Sequence, residues 1–503
     1  EEEMMMRRAN ERAAQWAALP PPPKNELQPI LQPGSTPIRD ERRFLVWNSV
    51  GSIVSRSEDT FCALEFEFSN MSKHKTIRMT DHYRFTMAAL GDRGALLASE
   101  GEQKEEFEFE SDRKSKKKKN EEEDGRLLST LYYRPFASWS HNSDWTQQLP
   151  KGERVICVAL GDTWCAASTS ENLTRVWRFS GLQDMVFANT DPVVSLAGHG
   201  QYFAIVTRSG SPSDSTQHLC YEILNIPERK KLVSGRLPMS KGSELEWLGF
   251  DDQGTLMMYE STGKLHGLYS TFGWKWIMLC DTSNLESVKK SNGHHWVIGV
   301  SGGQLITALC VNKTTFPSAL PKPVPCATPL AIPVIGSNTK SGKLEEEWLR
   351  TTLLRGSYDD AEDDEITTQQ RVKLDKICLQ LMQVACKSDR LARALDIATR
   401  LKMKKSFEIA VALAQRMGHG GLAERISLVM HARARAQAEE SIAVQQMSFQ
   451  QRRELEASRR AKKHRRKKNA VRCTVFQRSV RAPGNESVVL HYTLSLYPSS
   501  LFR

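Results

Sequence analysis

Short apolar runs separated by Gly-bearing polar turns dominate the chain up to about residue 335. ALGDTWCAASTSENLTRVWRF, residues 159–179, reads as an apolar strand, a Gly-Asp turn, a small apolar run, a polar turn and renewed alternation. That is the pattern of short strands joined by tight turns. The same shape recurs in RFLVWNSVGSIV (43–54), MAALGDRGALLA (87–98), VSLAGHGQYFAIV (194–206), WLGFDDQGTLMMY (247–259) and WVIGVSGGQLITALC (296–310). With Gly91, Gly161, Gly198, Gly249 and Gly299 as markers, the intervals are 70, 37, 51 and 50 residues. The long interval contains the insert EEFEFESDRKSKKKKNEEED (105–124). Without about 24 inserted residues it shortens to about 46, within the period of a four-stranded propeller blade. The fold class is therefore mainly β with a C-terminal α part. Residues 38–335 are predicted to form a β-propeller of about six blades, with a charged insert at 101–124. The alternative is a two-sheet sandwich, whose strands do not return at such a period. The turn glycines are expected to supply positive φ. Residues 1–37 read as disordered or linker.

PKPVPCATPLAIP (321–333) is a proline-punctuated exit, and beyond Gly342 the periodicity becomes helical. LEEEWLRTTLL places Leu344, Trp348, Leu349, Thr352 and Leu353 at helical spacing. VKLDKICLQLMQVACK places Leu374, Ile377, Cys378, Leu381, Met382 and Ala385 on one face. Ser388 and Asp389 read as caps of the next helix, and Gly418 as a C-cap. Residues 342–440 are thus predicted to form a short helical bundle with antiparallel neighbours. Its Ala-rich faces suit a groove for an amphipathic partner helix. The candidate lining is Leu381, Met382, Ala385, Ala410, Leu413 and Ala414, facing stripes on two neighbouring helices. In that reading an arginine at Ala414 blocks the groove and leaves folding intact. The alternative is that these residues are ordinary core.

Charge adds a third region. The net charge is +11, and Arg452–Lys468 alone carry +8, so the body is near neutral. Residues 441–503 are read as a basic, unfolded tail. Arg459, Arg460, Lys462, Lys463, Arg465, Arg466, Lys467 and Lys468 suit a nuclear localisation signal or contact with phosphates. The insert, with its blocks of opposite sign, reads as a solvated loop. No apolar run reaches the about 20 residues of a membrane-spanning helix. The 10 cysteines contain no Cys-x-x-Cys pair, which suits reduced thiols. The first residue is not Met, which suggests a fragment or isoform.

Catalytic signatures are missing: there is no GxxxxGK[ST], GxSxG or HExxH. His294 and His295 head a strand and point to opposite faces, which does not suit one metal. No cofactor and no enzymatic activity are expected.

RFLVWNSVGSI, DPVVSLAGHGQYFAIV, ELEWLGFDDQGTL and HHWVIGV, followed by a Pro-rich exit, LEEEWLRTTLL, an acidic loop and short helices, form an ordered set. This set resembles the second propeller and helical module of the WD-repeat and HMG-box DNA-binding protein family, the replisome adaptors of chromosome transmission fidelity. The resemblance covers roughly residues 28–440. It implies a non-enzymatic, homotrimeric nuclear adaptor on chromatin. Its helical part would capture short helical peptides from DNA polymerase α and from the replicative helicase (GINS-type) assembly. The given residues are expected to include neither the family's N-terminal WD propeller nor, after residue 440, its HMG box, so HMG-box DNA binding is not implied. The last stretch, from Val471 to Arg503, resembles nothing in the family. The alternative is a chromatin or DNA-binding protein that acts through its basic tail without a peptide-hub role.

Overall fold

A computed structural model describes residues 26–57, 61–101, 128–137, 143–285, 293–310, 314–353 and 364–446. Most of the charged insert and the basic tail fall outside the described residues. The chain forms two compact units, Glu1–Ser406 and Phe407–Arg503.

The described residues of the first unit form six antiparallel sheets whose strands follow chain order. Blade 1 is β1–β4 (Arg42–Trp47, Gly51–Ser57, Cys62–Phe68, Ile77–Asp81). Blade 2 is β5–β8 (Met87–Leu90, Gly94–Ser99, Thr130–Pro135, Trp145–Gln148). Blade 3 is β9–β12 (Val155–Leu160, Trp164–Thr169, Leu173–Arg178, Gln183–Ala188). Blade 4 is β13–β16 (Val193–His199, Tyr202–Arg208, Leu219–Asn225, Lys230–Arg236). Blade 5 is β17–β20 (Leu245–Phe250, Leu256–Glu260, Lys264–Tyr269, Lys275–Asp281). Blade 6 has three strands, β21–β23 (His294–Ser301, Gln304–Cys310, Pro325–Pro329). Every hairpin singled out by the sequence pattern belongs to one of these blades.

Each blade packs on the next through its own apolar cluster. Leu45 and Phe66 meet Leu97 between blades 1 and 2, and Leu96 meets Val158 between blades 2 and 3. Trp164 meets Phe203 between blades 3 and 4, with ring centroids 5.1 Å apart. Such faces supply most of the folding free energy, at about 25 cal/mol per Å² of apolar surface removed from water. The ring closes where Trp47 of blade 1 meets Trp296 of blade 6, with centroids 5.7 Å apart. Among the described residues no strand is exchanged between these blades. Instead Lys322, just ahead of β23, reaches blade 1, where its Nζ donates to Ser52 Oγ and Glu67 Oε2, both at 2.8 Å. It also lies 4.9 Å from the Trp47 ring centroid, a cation–π contact.

The marker glycines have a different cause from the one expected. None of Gly91, Gly161, Gly198, Gly249 and Gly299 has positive φ. A Cβ at Gly161 would lie 2.3 Å from the Trp164 ring, and one at Gly198 would lie 2.4 Å from Leu160 O. Lack of space where the inner hairpins converge, not turn conformation, excludes a side chain at these two positions.

Residues 26–37, read from the sequence as linker, belong to the propeller. Gln28 Oε1 accepts from Leu245 N at 2.8 Å and its Nε2 donates to Leu245 O, both on blade 5. Leu31 N donates to Val194 O of blade 4. Gln32 Oε1 accepts from Val158 N of blade 3, and its Nε2 donates to Val158 O and to Ala88 O of blade 2. The chain turns at Pro33–Gly34, and Thr36 pairs with Phe44 of blade 1 through Thr36 N to Phe44 O and Phe44 N to Thr36 Oγ1. All five partners are on the innermost strands, so the segment is a plug in the central channel. Gly34 has φ +80°, and a Cβ there would lie 2.8 Å from both Trp47 N and O. Only glycine fits the tip of the plug.

Candidate functional site

Among the described residues, five helices follow the propeller: α1 (Lys340–Leu353), α2 (Asp364–Lys387), α3 (Leu391–Ala398), α4 (Lys404–Arg416) and α5 (Gly420–Gln446). The sequence pattern assigns them to one block, but the structure places α1–α3 in the same unit as the propeller. The reason lies in α1. Leu353 packs against the cluster between blades 5 and 6, and Glu346 Oε1 accepts from Ile332 N at 3.1 Å. Thr339 Oγ1 caps α1 by accepting from Gly342 N.

The apolar face read for α2 is the face it buries: Leu374, Ile377, Cys378, Leu381, Met382 and Ala385 are all buried. Burial pushes the Cys378 thiol up to about 11. Asp375 sits on the same buried face, and its two carboxylate oxygens accept from Lys402 N at 2.8 Å and Met403 N at 2.9 Å. It satisfies backbone donors at the approach to α4 that have no partner inside the helix. Sequence reading misses this residue, because a capping carboxylate supplied from another helix leaves no local signature. Ser388 and Asp389 do not cap α3. Ser388 Oγ donates back to Val384 O and Ala385 O, and Asp389 has φ +54°, so both close α2.

The six candidate groove residues divide between the units. Leu381, Met382 and Ala385 on α2 belong to the first unit; Ala410, Leu413 and Ala414 on α4 belong to the second. Leu413 is half-buried and the other five are buried, Ala410 and Ala414 completely. Buried side chains are interior packing in this state of the chain. Among the described residues of the second unit, the exposed large apolar side chains are Ile409 on α4 and Leu428 on α5, 55% and 68% exposed. The eight basic candidates from Arg459 to Lys468 lie outside the described residues.

His294 Nε2 lies 3.1 Å from Glu246 Oε2, whereas His295 Nδ1 pairs with Thr307 Oγ1 at 2.8 Å in the blade interior. The two rings diverge, as their adjacent strand positions require. Among the described residues no group of three or more His, Cys, Asp or Glu is arranged to hold a metal ion.

The architecture, a six-bladed propeller that leads directly into short helices, matches two families in chain order. Residues 29–334 match the family of the minichromosome loss protein Mcl1, middle region. Residues 342–436 match the C-terminal domain of the DNA polymerase alpha-binding protein Ctf4. The chain belongs to the Mcl1/Ctf4 family. Its relatives include Protein ENHANCER OF LHP1 1 of Arabidopsis thaliana, 30% identical over 83% of this chain and 43% of that protein. WD repeat and HMG-box DNA-binding protein 1 of Homo sapiens is 29% identical over 80% of this chain and 34% of its own length. The DNA polymerase alpha-binding protein of Saccharomyces cerevisiae is 22% identical over 80% of this chain and 48% of its own. The chain thus spans between about a third and a half of these relatives. The family boundary at residue 29 falls within the channel plug, and the second match begins inside α1.

Proposed function

We propose that the chain is a non-catalytic nuclear replisome adaptor that binds DNA polymerase α. One observation carries this reading: both family matches occur in order, and the second is to the C-terminal domain of a DNA polymerase alpha-binding protein. In the finer form of the proposal, the helices take short helical peptides from polymerase α and from the replicative helicase assembly. The chain self-associates as a homotrimer, so that several peptides are held at once and avidity replaces single-site affinity. Helix-in-groove binding suits the Ala-rich helices, because small side chains let a partner helix approach closely. In this reading the six candidate residues Leu381, Met382, Ala385, Ala410, Leu413 and Ala414 support their own helices instead of lining an open groove. Because five of them are buried, the contact surface in this reading is the exposed Ile409 and Leu428, with the buried residues holding α2 and α4 in shape.

The deciding experiment is titration of the full chain with fluorescent peptides that tile the polymerase α catalytic subunit. Saturable micromolar binding by one helical segment supports the adaptor reading. Absence of binding by every tile removes it.

A second reading has its own observation, the +8 charge of Arg452–Lys468. Contact of this tail with DNA phosphates would weaken steeply with salt. DNA binding that vanishes on truncation after Glu440, while peptide binding persists, separates the two readings.

A further inference from the structure

Among the described residues, one outer edge of the propeller is unprotected. β12 (Gln183–Ala188) is the outermost strand of blade 3 and pairs only with β11. Asn189 N donates to Asn172 O, and Phe187 and Met185 sit opposite Thr174 and Val176. By antiparallel alternation Val186 and Ala188 turn their N–H and C=O groups away from the sheet, where no described residue bonds to them. Outer strands are usually blunted by charge, Pro or cover. β4, β16 and β20 carry Arg78, Lys230 and Lys275, and β23 carries Pro325 and Pro329. β8 is tied to the turn before β12 by Trp145 Nε1 to Phe179 O and Gln147 Nε2 to Gly181 O. β12 has no Lys, Arg or Pro. It exposes apolar residues instead, with Met185 38% and Val186 43% exposed, and Leu182 just ahead of it 67%.

A pocket of about 240 Å³ opens beside this edge, between blades 3 and 4. The exposed Met185 and the half-buried Phe187 and Leu224 wall it, above the buried Val176 and Ile226. Arg229 and the first residues of β16, Lys230 and Lys231, stand at its mouth. Asp184 accepts from both Arg178 and Arg229, each at 2.9 Å, so one carboxylate answers two guanidiniums. Lys231 lies 3.4 Å from Glu222 and Lys230 lies 3.8 Å from Glu228, with both lysines more than half exposed. The mouth therefore keeps an excess of positive charge beside an apolar pocket.

We propose that β12 receives an extended acidic segment of a partner protein, added to blade 3 as a further strand. The segment places an apolar side chain in the pocket and a carboxylate at the basic mouth. An added strand gains its hold from main-chain bonds and its selectivity from alternate side chains. Residues i and i+2 of a strand share one face. The recognised chemistry is therefore an apolar residue and an Asp or Glu two positions apart. The basic mouth repels a segment that carries Lys or Arg in that place. No helix residue lines the pocket, so this proposal goes beyond the polymerase reading and its test does not depend on it.

The test uses the full chain, labelled with ¹³C at methionine methyls. The probe is the heptapeptide threonine–leucine–threonine–glutamate–threonine–glutamate–threonine, capped at both ends to remove terminal charge. A saturable shift of the Met185 methyl is expected, with hydrogen exchange at the Val186 and Ala188 amides slowed about five-fold or more. The peptide with lysine in place of glutamate should bind about ten-fold more weakly. The peptide with serine in place of leucine should leave Met185 unshifted. Lys230→Glu alters an exposed side chain and should weaken the acidic peptide about five-fold, with an unchanged melting temperature. A second variant, Val186→Pro, removes an outward N–H without touching the ladder to β11, and should abolish binding. No Met185 shift up to millimolar peptide overturns the proposal. So do equal affinity for the lysine peptide, unchanged affinity in folded Lys230→Glu, or unchanged exchange at Val186 and Ala188. A lower light-scattering mass for folded Met185→Glu than for the parent also overturns it, and assigns this edge to contact between copies of the chain.

Discussion

At the scale of single residues, burial and close approach override local preference. Asp251 is 4% exposed, and burial raises its carboxyl to about 6. Hydrogen bonds from Thr255 and Gln253 oppose the rise, and the charge of Asp252 adds to it. The folded chain therefore holds this proton more tightly than the unfolded chain does. The stability it contributes is present below pH 4 and is lost as pH rises through 6, about 3 kcal/mol in all. Asp251→Asn keeps an Oδ1 to accept from both backbone donors and removes the titration. Its melting temperature should change less between pH 4 and pH 7 than that of the parent, and should be higher at pH 7. Thermal denaturation across that range checks this, and parallel curves would count against it. Glu153 has the opposite sense, since its bidentate bond to Arg175 holds its carboxyl below the usual range. Gly34 is a steric case. Gly34→Ala forces a Cβ onto the Trp47 backbone in a left-handed conformation and should cost at least about 2 kcal/mol in a urea titration.

At the scale of elements, the helices and the plug separate what periodicity reveals from what it hides. The α2 face from Leu374 to Ala385 is legible because 3.6-residue spacing turns one stripe inward, and the structure buries that stripe. The same spacing does not say whether a stripe meets its own chain or a partner, and this is where the groove assignment is exposed to test. Ala414 is completely buried, so Ala414→Arg should lower the melting temperature instead of leaving folding intact. Ile409→Asp and Leu428→Asp change exposed positions and should leave the melting temperature within a few degrees. In the adaptor reading they weaken polymerase peptide binding at least ten-fold. Retained affinity in both would move the contact surface elsewhere. The plug is illegible in the sequence. ELQPILQPGST has no period of 2 or 3.6 and reads as linker, because its order comes from hydrogen bonds to residues more than 50 positions away. Gln32→Leu removes its three bonds to blades 2 and 3, and should cost about 2–4 kcal/mol in a urea titration.

At the scale of the whole molecule, the ring, its assembly and its basic tail carry the functional expectations. A homotrimer of the full chain should give three times the monomer mass in light scattering at micromolar concentration; monomer mass alone would count against self-association. Replacing Lys462, Lys463, Arg465, Arg466, Lys467 and Lys468 by Ala should strand a tagged chain in the cytoplasm and leave peptide affinity unchanged. Undiminished nuclear signal would leave the tail only its phosphate-contact reading.

Sequence alone determined the blade count, the hairpin positions, the switch from strand to helix near residue 340 and the buried face of α2. These are periodic features, and each follows from local alternation and steric preference of neighbouring residues. Tertiary structure decided the rest. It set the role of the marker glycines, which comes from crowding around the channel. It placed Lys322 across the closure of the ring and Asp375 at the approach to α4, and it made residues 26–37 part of the propeller. All of these depend on groups far apart in the chain. No local pattern records such encounters, because the partner of a buried amide or carboxylate is chosen only when the ring closes.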